Sequence, residues 1–161
     1  ENTFKNILII GGAGGVGSIA IQLAKWAGLN VIATASRDET IEWVKTFGAD
    51  HTINHHKPLK EQLQSLGFND VDYIFCLNNT DQHWHGIGEV IKPQGKICSI
   101  VENEHPVEMG ILKSKSATFV WEFMFTKPMY ETGDMITQHE LLNKVSELLD
   151  EGILKTTLNE T

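Results

Sequence analysis

Near the start of the chain, Gly12-Ala13-Gly14-Gly15-Val16-Gly17 follows an apolar run and opens an amphipathic one. Glycines at this spacing suit a phosphate ester. Gly12 is expected to allow a tight turn out of a strand. Gly14 leaves room for a pyrophosphate against the backbone, and Gly17 lets the next helix pack closely on the strand. The N–H groups of that helix's first turn, from Gly15 and Val16 onward, then face the phosphates with the helix dipole behind them. No Gly-Lys-Ser/Thr follows, which excludes a P-loop nucleotidase.

A second place for chemistry lies eighteen residues past Gly17. A dinucleotide-binding sheet that prefers a free ribose 2′-hydroxyl usually sets Asp or Glu there, about 20 residues past the glycines. Here the position holds Ala35, followed by Ser36 and Arg37, the only arginine in the chain. Ser36 can donate a hydroxyl hydrogen bond, and Arg37 can clamp a 2′-phosphate in a bidentate pair. The expected cofactor is therefore NADP(H). The other reading of Arg37 is a solvated loop arginine paired with Asp38 or Glu39. Ala35 also argues against a doubly wound S-adenosylmethionine methyltransferase, which would want an acid there.

His83-Trp84-His85 invites a metal reading, but histidines two apart do not share a helix face, and no metal ligand and no catalytic residue is assigned in the chain. The two cysteines, Cys76 and Cys98, are too few for a disulfide framework or a four-cysteine zinc site. They read as buried thiols of an intracellular, cytoplasmic protein. A formal net charge of −8, from 13 Lys and Arg against 21 Asp and Glu, argues against a nucleic-acid partner. No apolar run approaches the roughly 18 residues that a membrane-spanning helix needs.

These residues need a scaffold, and short apolar runs alternating with helical patterns supply one. Strands are expected over residues 4–10, 30–35, 52–54, 71–77, 96–101 and 116–125. The first helix carries Val16, Ile19, Ala20, Leu23, Ala24 and Ala27 on one face. Asp38 reads as the N-cap of the second helix, and Lys92-Pro93-Gln94-Gly95 closes the fourth. The last helix places Leu141, Leu142, Val145, Leu148 and Leu149 on one face. Right-handed crossovers then give an α/β fold, a doubly wound six-stranded parallel sheet of the Rossmann type, in the order 3-2-1-4-5-6. Its ligand binds at the carboxyl ends of strands 1 and 4, where the winding reverses.

Four strings of the chain, in order and spacing, resemble the medium-chain dehydrogenase/reductase superfamily of zinc-type alcohol dehydrogenases and quinone oxidoreductases. They are residues 11–18, Gln22-Leu23-Ala24-Lys25, Phe47-Gly48-Ala49-Asp50 and Lys92-Pro93-Gln94-Gly95-Lys96. The resemblance implies an NADPH-dependent hydride transfer to a carbonyl, quinone or activated alkene in a longer parent enzyme. It implies that His55 stands where that branch often has a tyrosine near the 2′-phosphate, although a surface histidine beside His56 is the other reading. Asn78 to Thr80 would lie near the adenosine and ribose, and Val101 with Glu102 near the nicotinamide. Residues 1–151 would form the cofactor-binding domain. Residues 152–161 would begin a return toward a catalytic domain, so this piece alone is not expected to turn over substrate. A free-standing NADP(H) sensor is the alternative. The resemblance and the sticky sixth strand together suggest a homodimer through residues 116–125.

Overall fold

The computed structural model describes residues 5–158, so Phe4 of the expected first strand lies outside the described residues. These residues fall into two compact units, one ending at Trp121 and one beginning at Glu122.

The first unit alternates strands and helices: β1 (Asn6–Ile10), α1 (Gly15–Trp26), β2 (Asn30–Thr34), α2 (Asp38–Thr46), β3 (His51–Ile53), α3 (Leu59–Ser65), β4 (Val71–Cys76), α4 (Thr80–Val90), β5 (Ile91–Ser99) and β6 (Thr118–Trp121). A 3-10 helix, Met109–Lys115, precedes β6. All six strands pair in parallel, in the order β3-β2-β1-β4-β5-β6. That is the expected doubly wound sheet.

Strand alternation divides the core between two faces. Leu8 and Ile10 of β1 and Ile32 of β2 join Leu63 of α3 and Trp84 and Ile87 of α4 in one cluster. Ile9, Val31 and Ala33 join Ile21 of α1 and Val44 of α2 in the other. Helices thus cover both faces, as right-handed crossovers in both directions from β1 require. Burial of β1 and β2 on two sides explains why they read as near-continuous hydrophobic runs.

Three expected boundaries shift. Asp38 is the first residue of α2 and not its cap. Arg37 is the N-cap, in extended backbone, and the Thr40 hydroxyl accepts the Arg37 N–H at 3.1 Å. The turn at residues 92–95 lies within β5: Val71 pairs with Ile91 and Tyr73 with Lys96, so the intervening residues bulge out. Gln94 has φ of 63° there, and a Cβ at Gly95 would stand 2.8 Å from the Lys92 carbonyl. The sixth strand has four residues where ten were expected. Trp121 pairs with Ser99, the last residue of β5, so the ladder has no partner beyond it, whatever the β-propensity of residues 122–125.

The second unit holds α5 (Thr126–Tyr130) and α6 (Ile136–Asp150). Lys127 bonds Asp134 at 2.8 Å, and Gln138 Nε2 donates to the Met124 carbonyl at 2.8 Å. Of the expected apolar face of α6, Leu148 is buried, Val145 and Leu149 are partly buried, and Leu141 and Leu142 are exposed. Gly152, with φ of 71°, ends the helix.

Candidate functional site

A cleft of about 480 Å³ opens at the carboxyl ends of β1, β2 and β4. Its walls include Gly11, Gly14, Thr34, Arg37, His55 and Asn78. This is the crevice where the winding of the sheet reverses, β1 standing between β2 and β4.

The floor of the cleft is the glycine loop, and its glycines divide the work differently from expectation. The left-handed residue that turns the chain out of β1 is Gly11, with φ of 87°, and not Gly12. Gly12 is required for space, because a Cβ there would stand 2.8 Å from the Ala33 Cβ on β2. Gly17 is tighter: its Cβ would lie 2.5 Å from the carbonyl oxygens of both Gly11 and Gly12. Gly14 has open space, its nearest neighbour being the Gly11 oxygen at 3.6 Å. It caps α1 without a side-chain hydrogen bond. The helix therefore presents its N-terminal N–H groups with no capping side chain of Gly14 in front of them.

Thr34 was not singled out in the sequence. As the last residue of β2 it is buried, and its hydroxyl accepts the Gly11 N–H at 2.9 Å, tying the loop to the neighbouring strand. A threonine at a strand's end is too common a signal to have marked it.

Ser36 and Arg37 line the cleft just past β2, and the Ala35 N–H is taken by the Ile53 carbonyl. The Arg37 guanidinium approaches Glu39 at 3.4 Å, but both side chains are more than two-thirds exposed. Such a pair is worth little and leaves the arginine available to a better anion. His55 enters from the loop after β3. Its Nδ1 is buried without a hydrogen-bond partner, a polar atom left unsatisfied in the wall of the cleft. Burial, and then the neighbouring His56, lower its pKa below the ordinary histidine value.

Asn78 lines the cleft opposite, while Gly15 and Val16 face a separate apolar groove with Ile19, Leu23 and Phe75. Val101 lies past the end of β5 and outside the cleft lining. Its carbonyl accepts the Thr80 hydroxyl, which also bonds Ser99 Oγ at 2.7 Å. This buried hydroxyl pair ties the start of α4 to the end of β5. The structure thus gathers Gly14, Ser36, Arg37, His55 and Asn78 around one cleft, with Gly12 and Gly17 beneath it. His83 is buried on α4, whereas His85 on the same helix is exposed.

The profile of the zinc-binding dehydrogenase family matches residues 15–138. This chain belongs to that family. Its fold is the cofactor-binding domain of the medium-chain dehydrogenase/reductase superfamily, as the four strings implied. A zinc-type alcohol dehydrogenase-like protein of Staphylococcus epidermidis is 46% identical over 157 residues, covering 98% of this chain and 47% of that protein. A namesake from Staphylococcus aureus is 47% identical over 160 residues, covering 99% of this chain and 48% of its own. The chain thus spans about half the length of these relatives. Among solved structures, a candidate zinc-dependent alcohol dehydrogenase protein from Rhizobium etli superposes with a TM-score of 0.92 at 48% identity, over 96% of this chain and 45% of that one. The quinone oxidoreductase of Escherichia coli, solved with NADPH, shares the fold at a TM-score of 0.81 and 23% identity, over 98% and 49%.

The family name implies zinc. Among the described residues, no three His, Cys, Asp or Glu side chains lie close enough to hold a metal ion, so their donor set does not fit it. A dinucleotide fits better: the glycine cradle, the cleft and the absence of a carboxylate at residue 35 are all on the same edge of the sheet.

Proposed function

We propose that this chain is the NADP(H)-binding part of an oxidoreductase. The observation that carries the reading is the pairing of an open glycine cradle with Ser36 and Arg37 at the far end of the same cleft, where a carboxylate would repel a 2′-phosphate. Among the proteins it resembles, both NADPH and NAD appear, so the choice rests on these residues. The pyrophosphate would lie over Gly14 and the first turn of α1. Arg37 and Ser36 would hold the 2′-phosphate, His55 would add a donor beside it, and Asn78 would bound the adenosine and ribose. The nicotinamide would reach toward Val101.

When bound, the cofactor supplies the hydride. In the parent enzyme it would pass to a small carbonyl, quinone or activated alkene, and this part of the chain would contribute orientation. We further infer a cytoplasmic enzyme that pairs with a second copy of itself along β6. For this chain's described residues, no helix is long and apolar enough to cross a membrane.

Titration calorimetry tests the cofactor. NADPH should bind roughly tenfold to a hundredfold tighter than NADH, the worth of a charge-assisted pair. Arg37→Ala should remove most of that preference while leaving NADH affinity unchanged. Equal affinity for both cofactors in the unaltered chain would overturn the reading.

A further inference from the structure

The phosphate loop is braced by a residue that does not line the cleft. Trp43 lies in the middle of α2, and its indole Nε1 donates to Ser18 Oγ at 2.8 Å. The Ser18 hydroxyl donates in turn to the Gly14 carbonyl at 2.8 Å, and the Ser18 N–H reaches the same oxygen at 2.9 Å. Ser18 is 1% exposed, so bulk water does not compete for its hydroxyl. With the indole N–H occupying the acceptor side of Ser18 Oγ, the hydroxyl hydrogen is left for Gly14. Both lone pairs of the Gly14 oxygen are then used.

A trans peptide is planar, with its C=O and N–H pointing in opposite directions. Holding the Gly14 carbonyl down the helix therefore aims the Gly15 N–H out of the helix N-terminus, toward an incoming phosphate. Gly14 needs this help. It has no side chain, glycine backbone is the least restricted of all, and its own N–H makes only a long bond, 3.3 Å, to the Gly11 carbonyl. The helix that carries Trp43 is also the one capped by Arg37.

We propose that Trp43 is a positioning residue for the pyrophosphate of the bound dinucleotide, acting through Ser18 on the Gly14 peptide. The inference rests on the dinucleotide reading above. It makes α2 a strut that reaches two phosphate sites of the cofactor, the 2′-phosphate through Arg37 and the pyrophosphate through Trp43.

Trp43→Phe tests it, since an aromatic ring is kept beside Phe47, whose ring stands 4.9 Å from that of Trp43, while the donor is lost. ADP probes the pyrophosphate subsite and adenosine the remainder. For Trp43→Phe, ADP affinity should fall roughly threefold to tenfold, the range of one net hydrogen bond, with adenosine affinity unchanged. Ser18→Ala should weaken ADP to a similar extent, and the double variant should be no weaker than Ser18→Ala alone. Unchanged ADP affinity, equal losses for ADP and adenosine, or additive losses would each overturn the proposal. In the unaltered chain, the indole N–H resonance of Trp43 should move on adding ADP and stay still with adenosine. A resonance indifferent to ADP overturns the proposal even where the variant does not fold. If the unaltered chain binds neither NADPH nor ADP, the dinucleotide reading fails and this inference with it. Tight ADP binding that ignores Trp43 removes the inference alone.

Discussion

His55 and His83 meet beside the cleft, with ring centroids 6.5 Å apart and planes nearly perpendicular, and the His56 ring lies closer still to His55, at 4.2 Å and tilted by 53°. Burial lowers the pKa of both His55 and His83, and the crowding of imidazoles adds to it: His56 acts on His55, and both neighbours act on His83. Protonation is thus disfavoured in the folded chain relative to the unfolded one. Below the ordinary histidine range the unfolded chain binds more protons, so stability is full above that range and declines as pH falls through it. Urea unfolding from about pH 7.5 to 5 should show this decline, and His83→Gln should flatten it. A slope unchanged by the substitution would mean that other groups carry it. At this scale the sequence located His55 by resemblance. It did not reveal the contact with His83, because residues 28 positions apart meet only when α4 packs against the loop after β3.

Among the elements, α4 is held at its middle and at its end by groups far away in sequence. Near its middle, Trp84 donates to the Glu108 carbonyl at 2.9 Å and packs edge-to-face on Phe119 of β6. At its end, Lys115 Nζ donates to three carbonyls, of Gly88, Glu89 and Ile91, at 2.7 to 2.9 Å. A helix leaves its last carbonyls without intrahelical donors, and a cation there also suits the helix dipole. Burial pulls the Lys115 pKa below the ordinary lysine value, yet the ammonium is fully used as a donor. Lys115→Met keeps the length of the chain and removes all three bonds. It should lower unfolding stability by about 1–3 kcal/mol, read from urea melts with an unchanged m-value. The sequence located the end of α4 to within a turn: Trp84, Ile87, Val90 and Ile91 were expected on it, and only Ile91 falls instead on β5. The cap was not legible, because a lysine 25 residues past the helix looks like any solvated lysine.

For the whole molecule, the exposed edge of the sheet is β6. Val120 and Trp121 are about half exposed, and none of residues 118–121 is lysine or proline, the usual guards of an edge. Two copies meeting there about a two-fold axis would extend the sheet and close the assembly. Light scattering after size exclusion, over a hundredfold range of concentration, should show a dimer. Val120→Lys, with the far-UV spectrum unchanged, should shift it to monomer. A monomer at every concentration, or a dimer indifferent to the lysine, would place the contact elsewhere or nowhere.

The sheet order, the glycine cradle and the missing carboxylate at residue 35 were all legible in the sequence, because each follows from local pattern. Buried parallel strands must be apolar throughout, crossovers have one hand, and a phosphate demands glycine where its oxygens approach backbone. The tertiary structure alone decided which glycine turns and which makes room. The φ of 87° sits on Gly11, while Gly12 is compelled by Ala33 on the neighbouring strand and Gly17 by the carbonyls of Gly11 and Gly12. It alone decided that the sixth strand stops at Trp121, because a strand lasts only as long as its partner, and β5 ends at Ser99. Thr34, Trp43 and Lys115 likewise carry no motif: each acts through one hydrogen-bonding group whose partner the chain brings within reach only after it has folded.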